Sequence, residues 1–318
     1  MSGTSSNFTC RFDDNSLTQL LFGPNNTNLN RLEHQLGVTL HSRGNTVTIE
    51  GPTRQAESAR TALSSLYNRL LAGLDIEDGD VDGAARLSTT EDTAKAANGL
   101  TIRTRKRHVT PRSPGQAAYM RALEKNELVF ALGPAGTGKT YIAVAKAIAM
   151  KITGKVDRIV LSRPAVEAGE RLGFLPGDMR DKVDPYLRPL YDALYDMMPG
   201  DQVLRNLESG EIEVAPLAFM RGRTLSNSFV ILDEAQNTTP VQMKMFLTRL
   251  GKNSRMVVTG DMSQIDLPSG IKPGLRDAIE TLDGLKEIGR VTFTYQDVVR
   301  HELVSRIVEA YDQRETTK

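Results

Sequence analysis

A glycine-rich loop between two apolar runs constrains this chain more than any other stretch. Residues 133–140 read GPAGTGKT and fit the pattern G-x-x-x-x-G-K-[ST] at every fixed position. The preceding run, 128–132, is short and apolar and predicts a buried strand, while 141–150 is rich in alanine and predicts a helix. Strand, glycine loop and helix, in that order, form the context that this phosphate-binding pattern requires.

The loop predicts a site for a nucleoside triphosphate. Its residues are Gly133, Pro134, Ala135, Gly136, Thr137, Gly138, Lys139 and Thr140. The glycines can adopt positive φ and carry no Cβ, so consecutive N–H groups can turn towards a phosphate, next to the positive end of the helix dipole. We expect Lys139 to reach the β- and γ-phosphates and the Thr140 hydroxyl to bind Mg²⁺. The alternative is a glycine-rich turn that carries an exposed lysine.

An apolar run that ends in two carboxylates predicts the catalytic partner of the loop. Residues 229–232 read as a buried strand, and Asp233 and Glu234 follow directly. Asp233 would hold the magnesium shell and Glu234 would polarise the attacking water. These are the features of a Walker B site. The two acidic residues could instead cap the next helix, although the phosphate loop in the same chain favours the catalytic interpretation.

Polar residues after the later strands are further catalytic candidates. Gln264 follows the apolar run 256–258 and could hydrogen-bond a γ-phosphate or the lytic water. Arg300 follows the last predicted strand, 291–294, and is a candidate arginine finger. Arg221 and Arg223 are rival candidates. Each of these arginines could equally form a surface ion pair.

Two residues ahead of the loop strand are candidate adenine contacts. The Gln116 amide offers a donor and an acceptor, which suits the N6 amine and N7 of adenine. Tyr119 could stack on the base. The alternative for Gln116 is an ordinary helix cap.

Composition bounds the class of protein. With 318 residues the chain can hold two domains, and 39% hydrophobic with 25% charged residues is typical of a soluble globular protein. The net charge of +1 gives no whole-chain argument for nucleic-acid binding. The single cysteine, Cys10, excludes an internal disulfide and suits a reducing compartment. Without a signal peptide or an apolar run long enough to span a membrane, we expect a cytoplasmic protein.

The domain prediction has three parts. Residues 8–74 read as a small α+β domain, 75–113 as a linker that is first acidic and then basic, and 114–318 as the ATPase domain. The basic part, 101–108, is either a solvated face or a segment that contacts phosphates.

The N-terminal order of helix, glycine loop, helix, hairpin and helix resembles a KH-type RNA-binding domain. Such domains clamp nucleic-acid backbone with a G-x-x-G loop between two helices. Here the loop reads Gly23-Pro24-Asn25-Asn26, so the second glycine is absent. The alternative is a packing or oligomerisation domain that keeps the fold without binding RNA.

Taken together, these motifs resemble the PhoH family of P-loop ATPases. The resemblance covers about 114–315 and rests on 133–140, on 162–170 (SRPAVEAGE), on 233–236 (DEAQ), on Thr259-Gly260-Asp261 with Gln264, and on Val299-Arg300-His301. It implies an α/β core with a mainly parallel sheet, similar to RecA and to the motor of superfamily-one helicases. It also implies ATP and Mg²⁺ as ligands, a role with RNA, expected to be single-stranded, and an association with a YbeY-type endoribonuclease.

One P-loop and about 200 residues leave room for a single RecA-like core. Helicases of the similar type bind ATP between two cores, and the second core supplies an arginine. We therefore expect a homo-oligomeric ring, of six subunits, with Arg300 or Arg223 acting across the interface. Two other functions remain open: a P-loop kinase, against which Glu234 argues, and a nucleotide-gated RNA scaffold with little turnover.

Overall fold

The structure is a computed structural model that describes residues 5–89, 97, 99–164 and 179–299. The chain forms two compact units, one of residues 1–101 with 110–118 and the other of 102–109 with 119–318. The candidate finger Arg300, and residues 165–170 of the family motif, lie outside the described residues.

The smaller unit is an α+β fold around a three-stranded antiparallel sheet. Its elements are β1 (Ser5–Arg11), α1 (Asn15–Phe22), α2 (Thr27–Leu36), β2 (Thr39–Arg43), β3 (Thr46–Pro52), α3 (Thr53–Leu71) and α4 (Asp78–Leu87). The strand order is β1-β3-β2. Val47 and Ile49 alternate with polar residues and are fully buried, as period-two patterning predicts. Strand β1, which the sequence did not predict, pairs with the whole of β3.

Helix α4 corrects the prediction of an acidic linker. Val81, Ala84 and Ala85 are buried in the hydrophobic core of the smaller unit. The acidic residues are compensated, because Asp80 forms ion pairs with Arg69 at 3.1 Å and with Arg112 at 3.2 Å. The predicted linker therefore contains a folded helix at 78–87, and its later residues 102–109 belong to the larger unit.

Replacing Val81 with alanine is expected to destabilise the smaller unit by about 1.5–3 kcal/mol, because a fully buried side chain is truncated. Asp75→Ala is the matched control, since its side chain is exposed. Hydrogen exchange of peptides from residues 5–89, measured in the full chain, should lose protection in the first variant alone. Equal protection in both variants would mean that α4 contributes nothing to this core.

The larger unit is built on a six-stranded parallel sheet. The strands of this sheet are β6 (Leu128–Leu132), β7 (Arg158–Arg163), β8 (Ile212–Pro216), β9 (Ser228–Leu232), β10 (Arg255–Gly260) and β11 (Ile288–Thr292), and the same unit contains the separate short strands β4 (Ile102–Arg103) and β5 (His108–Val109). Its helices are α5 (Pro114–Lys125, which contains the boundary between the units), α6 (Lys139–Ile152), α7 (Met179–Met197), α8 (Gly200–Glu208), α9 (Pro240–Leu247) and α10 (Gly274–Thr281). The sheet order is β11-β6-β10-β9-β7-β8, and every pair is parallel. The α/β prediction is confirmed, and the sheet is that of a RecA-like P-loop core.

The strand sequences explain why this sheet forms and where it places polar groups. Strands β6 and β9 are almost continuously apolar and buried, which is typical of a parallel sheet covered on both faces. Since parallel strands all end at one edge, the residues that follow β6, β7, β9 and β10 meet there. Among the described residues, no helix combines the length and apolar character that crossing a membrane requires.

The basic run 101–108 forms a short antiparallel hairpin, β4 with β5. Its Lys106 donates to the carbonyl oxygen of Tyr195 at 2.8 Å, and Arg107 forms a 2.8 Å ion pair with Asp196. These two cations therefore hold the C-terminal part of α7. Arg103 and Arg105 are exposed and stay candidates for phosphate contact.

Candidate functional site

The phosphate loop connects β6 to α6 and has the backbone that its glycines permit. Gly133, Gly136 and Gly138 have φ values of 137°, 80° and 82°. At Gly133 a Cβ would lie 2.5 Å from the carbonyl oxygen of Phe293, so both the conformation and the space exclude another residue. Residues after β11 also brace the loop, because the Val299 N–H donates to the carbonyl oxygen of Gly136 at 3.0 Å.

Lys139 lies inside the loop rather than in solvent. Its Nζ donates to the carbonyl oxygens of Gly133 at 2.6 Å and of Pro134 at 2.7 Å, and the residue is 8% exposed. This geometry excludes the alternative of a turn with an exposed lysine. The ammonium group is therefore held within the loop.

The strand end at Asp233 meets the start of α6. The Thr140 hydroxyl donates to Asp233 Oδ1 at 2.6 Å, and the Thr259 hydroxyl donates to the same atom at 2.6 Å. Asp233 is 5% exposed. A hydroxyl and a carboxylate are ligands that suit Mg²⁺, which takes its remaining ligands from phosphates and water. The absence of a group of three His, Cys, Asp or Glu among the described residues is therefore compatible with a magnesium site.

Glu234 has both carboxylate oxygens engaged. Its Oε1 lies 3.3 Å from Arg163 Nη2, and its Oε2 accepts from Gln236 Nε2 at 2.5 Å. Its backbone is left-handed, with φ 53°, which is uncommon for a residue other than glycine and concentrates at functional sites. The chain therefore turns at Glu234, directly after the strand, and the carboxylate lies between Arg163 and Gln236.

The end of β10 supports both motifs. An oxygen of Asp261 accepts the Ala135 N–H of the phosphate loop at 3.2 Å. The Gln236 side chain accepts from the Asp261 N–H at 3.0 Å and donates to the carbonyl oxygen of Gln264, also at 3.0 Å. The phosphate loop, Glu234 and the segment of Gln264 are therefore joined through Asp261 and Gln236.

These elements enclose one pocket of about 550 Å³. Its lining includes Lys139, Thr140, Asp233, Glu234 and Gln264, which the sequence predicted to act together. The opposite wall comes from one side of α7: Pro189, Asp192, Ala193 and Asp196. The volume lies within the range of small-molecule sites.

Comparisons with known proteins agree with these motifs. The family model described as PhoH-like protein matches residues 108–312. A PhoH-like protein of Bacillus subtilis is 48% identical over 305 residues, which are 92% of this chain and 93% of that protein. The chain belongs to the PhoH-like family. The Mycobacterium tuberculosis (strain H37Rv) PhoH-like protein is 49% identical over 93% of this chain and 85% of its own length. Protein PhoH of Escherichia coli K12 is 48% identical over 64% of this chain and 58% of its own length.

The two candidate adenine contacts of this PhoH-like chain are engaged elsewhere. The Gln116 side-chain oxygen accepts from the Arg112 N–H at 2.8 Å, and the Gln116 N–H donates to the Ser113 hydroxyl at 3.1 Å. These are the bonds of a helix cap. The Tyr119 ring is 0% exposed and packs edge-on against Phe293 at 5.6 Å, so it leaves no face for a base in this conformation. Burial and the nearby charge of Asp233 raise the pKa of its hydroxyl well above the usual value.

Arg223, one of the two predicted fingers, forms a two-bond ion pair within its own chain. Its Nη1 and Nη2 each lie 2.7 Å from an oxygen of Glu213, and these hydrogen bonds raise the pKa of Arg223. It does not line the pocket. Action in a neighbouring subunit would require this pair to break, and the ring of six subunits stays a prediction.

Sequence reasoning assigned no role to Arg163, although this residue lines the pocket. It ends strand β7, just as the residue before Asp233 ends β9. Because parallel strands end at one edge of the sheet, the position of Arg163 at a strand end could have predicted that it lies at the site.

Proposed function

We propose that this PhoH-like chain binds ATP with Mg²⁺ and hydrolyses it to ADP and phosphate. The observation that carries the proposal is the hydrogen bond from the Thr140 hydroxyl to Asp233. Glu234, the next residue, lines the same pocket as Lys139. This supports the proposal, because Thr140 and Asp233 would be two magnesium ligands and Glu234 a general base beside the loop that would hold the terminal phosphate.

The reaction follows from the roles of these residues. The loop N–H groups and Lys139 bind the β- and γ-phosphates and stabilise the charge that develops on them. Glu234 accepts a proton from a water molecule, and the oxygen of that water bonds to the γ-phosphorus. At the same time the bond between the γ-phosphorus and the β-γ bridging oxygen breaks, which releases ADP. Thr140 and Asp233 would hold Mg²⁺, which would neutralise phosphate charge when bound. Gln264 lies in the pocket wall, where its amide can orient the water.

Phosphate release from purified protein tests this function against its two alternatives. We expect multiple turnovers with ATP and Mg²⁺ and no added acceptor, because Glu234 activates water. A P-loop kinase would transfer the γ-phosphate to an acceptor and would release no free phosphate in this assay. A nucleotide-gated scaffold would bind ATP without multiple turnovers. Either result would contradict the proposed hydrolysis.

We further propose that hydrolysis is coupled to RNA bound by the smaller unit. The loop between α1 and α2 supports this, because Gly23, Asn25 and Asn26 have φ values of 73°, 51° and 60°. Asn26 stands where a KH-type loop has its second glycine, yet its backbone is left-handed, a conformation that asparagine tolerates better than most residues. The loop therefore has a left-handed backbone at this position without the glycine, which supports the proposal that it can approach nucleic acid closely.

Replacing Asn26 with aspartate is expected to weaken binding of single-stranded RNA about tenfold or more, because a carboxylate would face the phosphate backbone. Asn253→Asp is the matched control, since Asn253 is also exposed and left-handed, with φ 56°, but lies in the larger unit. Fluorescence anisotropy with a labelled oligonucleotide at fixed salt measures the affinity. Equal weakening by both variants would indicate a general charge effect and remove this loop from the proposal.

A further inference from the structure

The pairing of Arg163 with Glu234 has no role in the function proposed above. It joins the end of β7 to the residue after Asp233, across 71 positions of the chain and within one pocket. We propose that Arg163 is the arginine that this site uses in cis. In the absence of nucleotide it holds Glu234, and it exchanges that carboxylate for the γ-phosphate when ATP binds. This inference rests on the proposed hydrolysis. It assigns to Arg163 the role of making the activity depend on a bound triphosphate.

The position of the guanidinium group supports contact with the terminal phosphate. Lys139 and Arg163 are the two cations among the described residues that line the pocket. The β- and γ-phosphates are expected next to Lys139, and the attacking water is expected next to Glu234, on the far side of the γ-phosphate. A guanidinium 3.3 Å from that carboxylate is therefore within side-chain reach of the γ-phosphate oxygens.

Arg163 is anchored, yet it retains donors. Its Nη1 donates to the carbonyl oxygen of Tyr186 in α7 at 2.9 Å, while Nη2 faces Glu234. A guanidinium carries five N–H donors, so three have no partner in the described part of the chain. The bond to Tyr186 fixes the group beside the pocket, and the donors that remain suit the two-pronged contact that arginine makes with phosphate.

The same pair keeps Glu234 idle before nucleotide arrives. Arg163 occupies the region of Oε1, and Gln236 donates to Oε2. Departure of Arg163 frees Oε1 to accept a proton from water, while the bond from Gln236 continues to orient the carboxylate. Glu234 thus becomes a general base only when another anion has drawn Arg163 away.

Charge decides the direction of this exchange. The γ-phosphate carries up to two negative charges, whereas Glu234 carries one. The side chains of the pair are partly exposed, at 22% and 32%, and partly exposed ion pairs are weak. ADP lacks the terminal phosphate, so it leaves the Arg163–Glu234 pair in place. The site therefore discriminates ATP from ADP through Arg163.

Three variants of the full chain test this inference. Arg163→Ala is expected to lower kcat about 10²-fold, the usual effect of removing one donor from a transition state, and to reduce the preference for ATP over ADP about tenfold. Arg163→Lys should restore part of the kcat and part of the ATP preference, because lysine keeps the positive charge but lacks the planar guanidinium group. Arg158→Ala, at the exposed opposite end of β7, is the control and should match the wild type.

Nucleotide affinities and phosphate release separate the outcomes. Unchanged ADP affinity in Arg163→Ala shows that the pocket is still folded, so a lost ATP preference then supports the exchange. If the wild type hydrolyses ATP while Arg163→Ala keeps both its turnover and its ATP preference, the inference is overturned and the proposed function stands. If Arg163→Ala loses ATP and ADP affinity equally, Arg163 supports the pocket and the exchange is wrong. If the wild type binds neither nucleotide, both proposals fail.

Discussion

Lys139→Ala is expected to weaken ATP binding about 10³-fold, because each charge-assisted hydrogen bond to a phosphate contributes about 1.5–3 kcal/mol and an ammonium group can make two or more. In the structure Nζ donates hydrogen bonds to the carbonyl oxygens of Gly133 and Pro134. The ammonium group is therefore already buried in the loop where phosphates would lie. Isothermal titration calorimetry with ATP and Mg²⁺ measures the effect.

A lysine of the same helix provides the control for this experiment. Lys151 lies in the last turn of α6 and pairs with Glu211, away from the pocket. Lys151→Ala should bind ATP as the wild type does. A Lys139→Ala variant that binds ATP within about threefold of the wild type would show that the loop does not hold the triphosphate.

Glu234→Gln is expected to lower kcat about 10³-fold, within the range for loss of a general base, while ATP stays bound. The amide keeps the shape of the carboxylate and can still accept the bond from Gln236, but it cannot take a proton from water. Single-turnover phosphate release, with bound nucleotide identified by chromatography, measures both parts. Glu208→Gln, an exposed change on α8, controls for the loss of a negative charge.

Two results would contradict the role of Glu234. If Glu234→Gln releases phosphate at the wild-type rate, the carboxylate is not the base. If the variant no longer binds ATP, Glu234 organises the pocket rather than the attacking water. Trapped ATP with slow release is the outcome that supports hydrolysis in preference to the scaffold alternative.

The local motifs could be predicted because their chemistry lies in neighbouring residues. GPAGTGKT fixes the backbone of 133–140 by glycine content alone, and four apolar residues before Asp233 and Glu234 predict a buried strand that ends at the site. The parallel sheet then brings both motifs to one edge. Each of the two motifs could therefore be predicted without tertiary information.

What sequence reasoning missed depends on contacts between distant segments. The acidic stretch 78–87 has few large apolar residues, and its helix is stabilised by arginines at 31, 69 and 112, which no local pattern connects to it. Strand β1 is mostly polar and is defined by its pairing with β3.

Arg163 was missed for the same reason. Its place in a family motif indicated importance but not its partner, and its contact with Glu234 exists only because β7 and β9 are neighbours in the sheet. For Gln116 the simpler alternative of a helix cap matches the observed bonds, although its contact with adenine stays a prediction.

A crystal structure with Mg²⁺ and a non-hydrolysable ATP analogue tests the central claim most directly. We expect the triphosphate within residues 133–140, Lys139 turned from the Gly133 carbonyl to the phosphates, and Mg²⁺ between Thr140 and Asp233. An analogue bound away from this loop, or a metal ion that contacts neither Thr140 nor Asp233, would contradict the account.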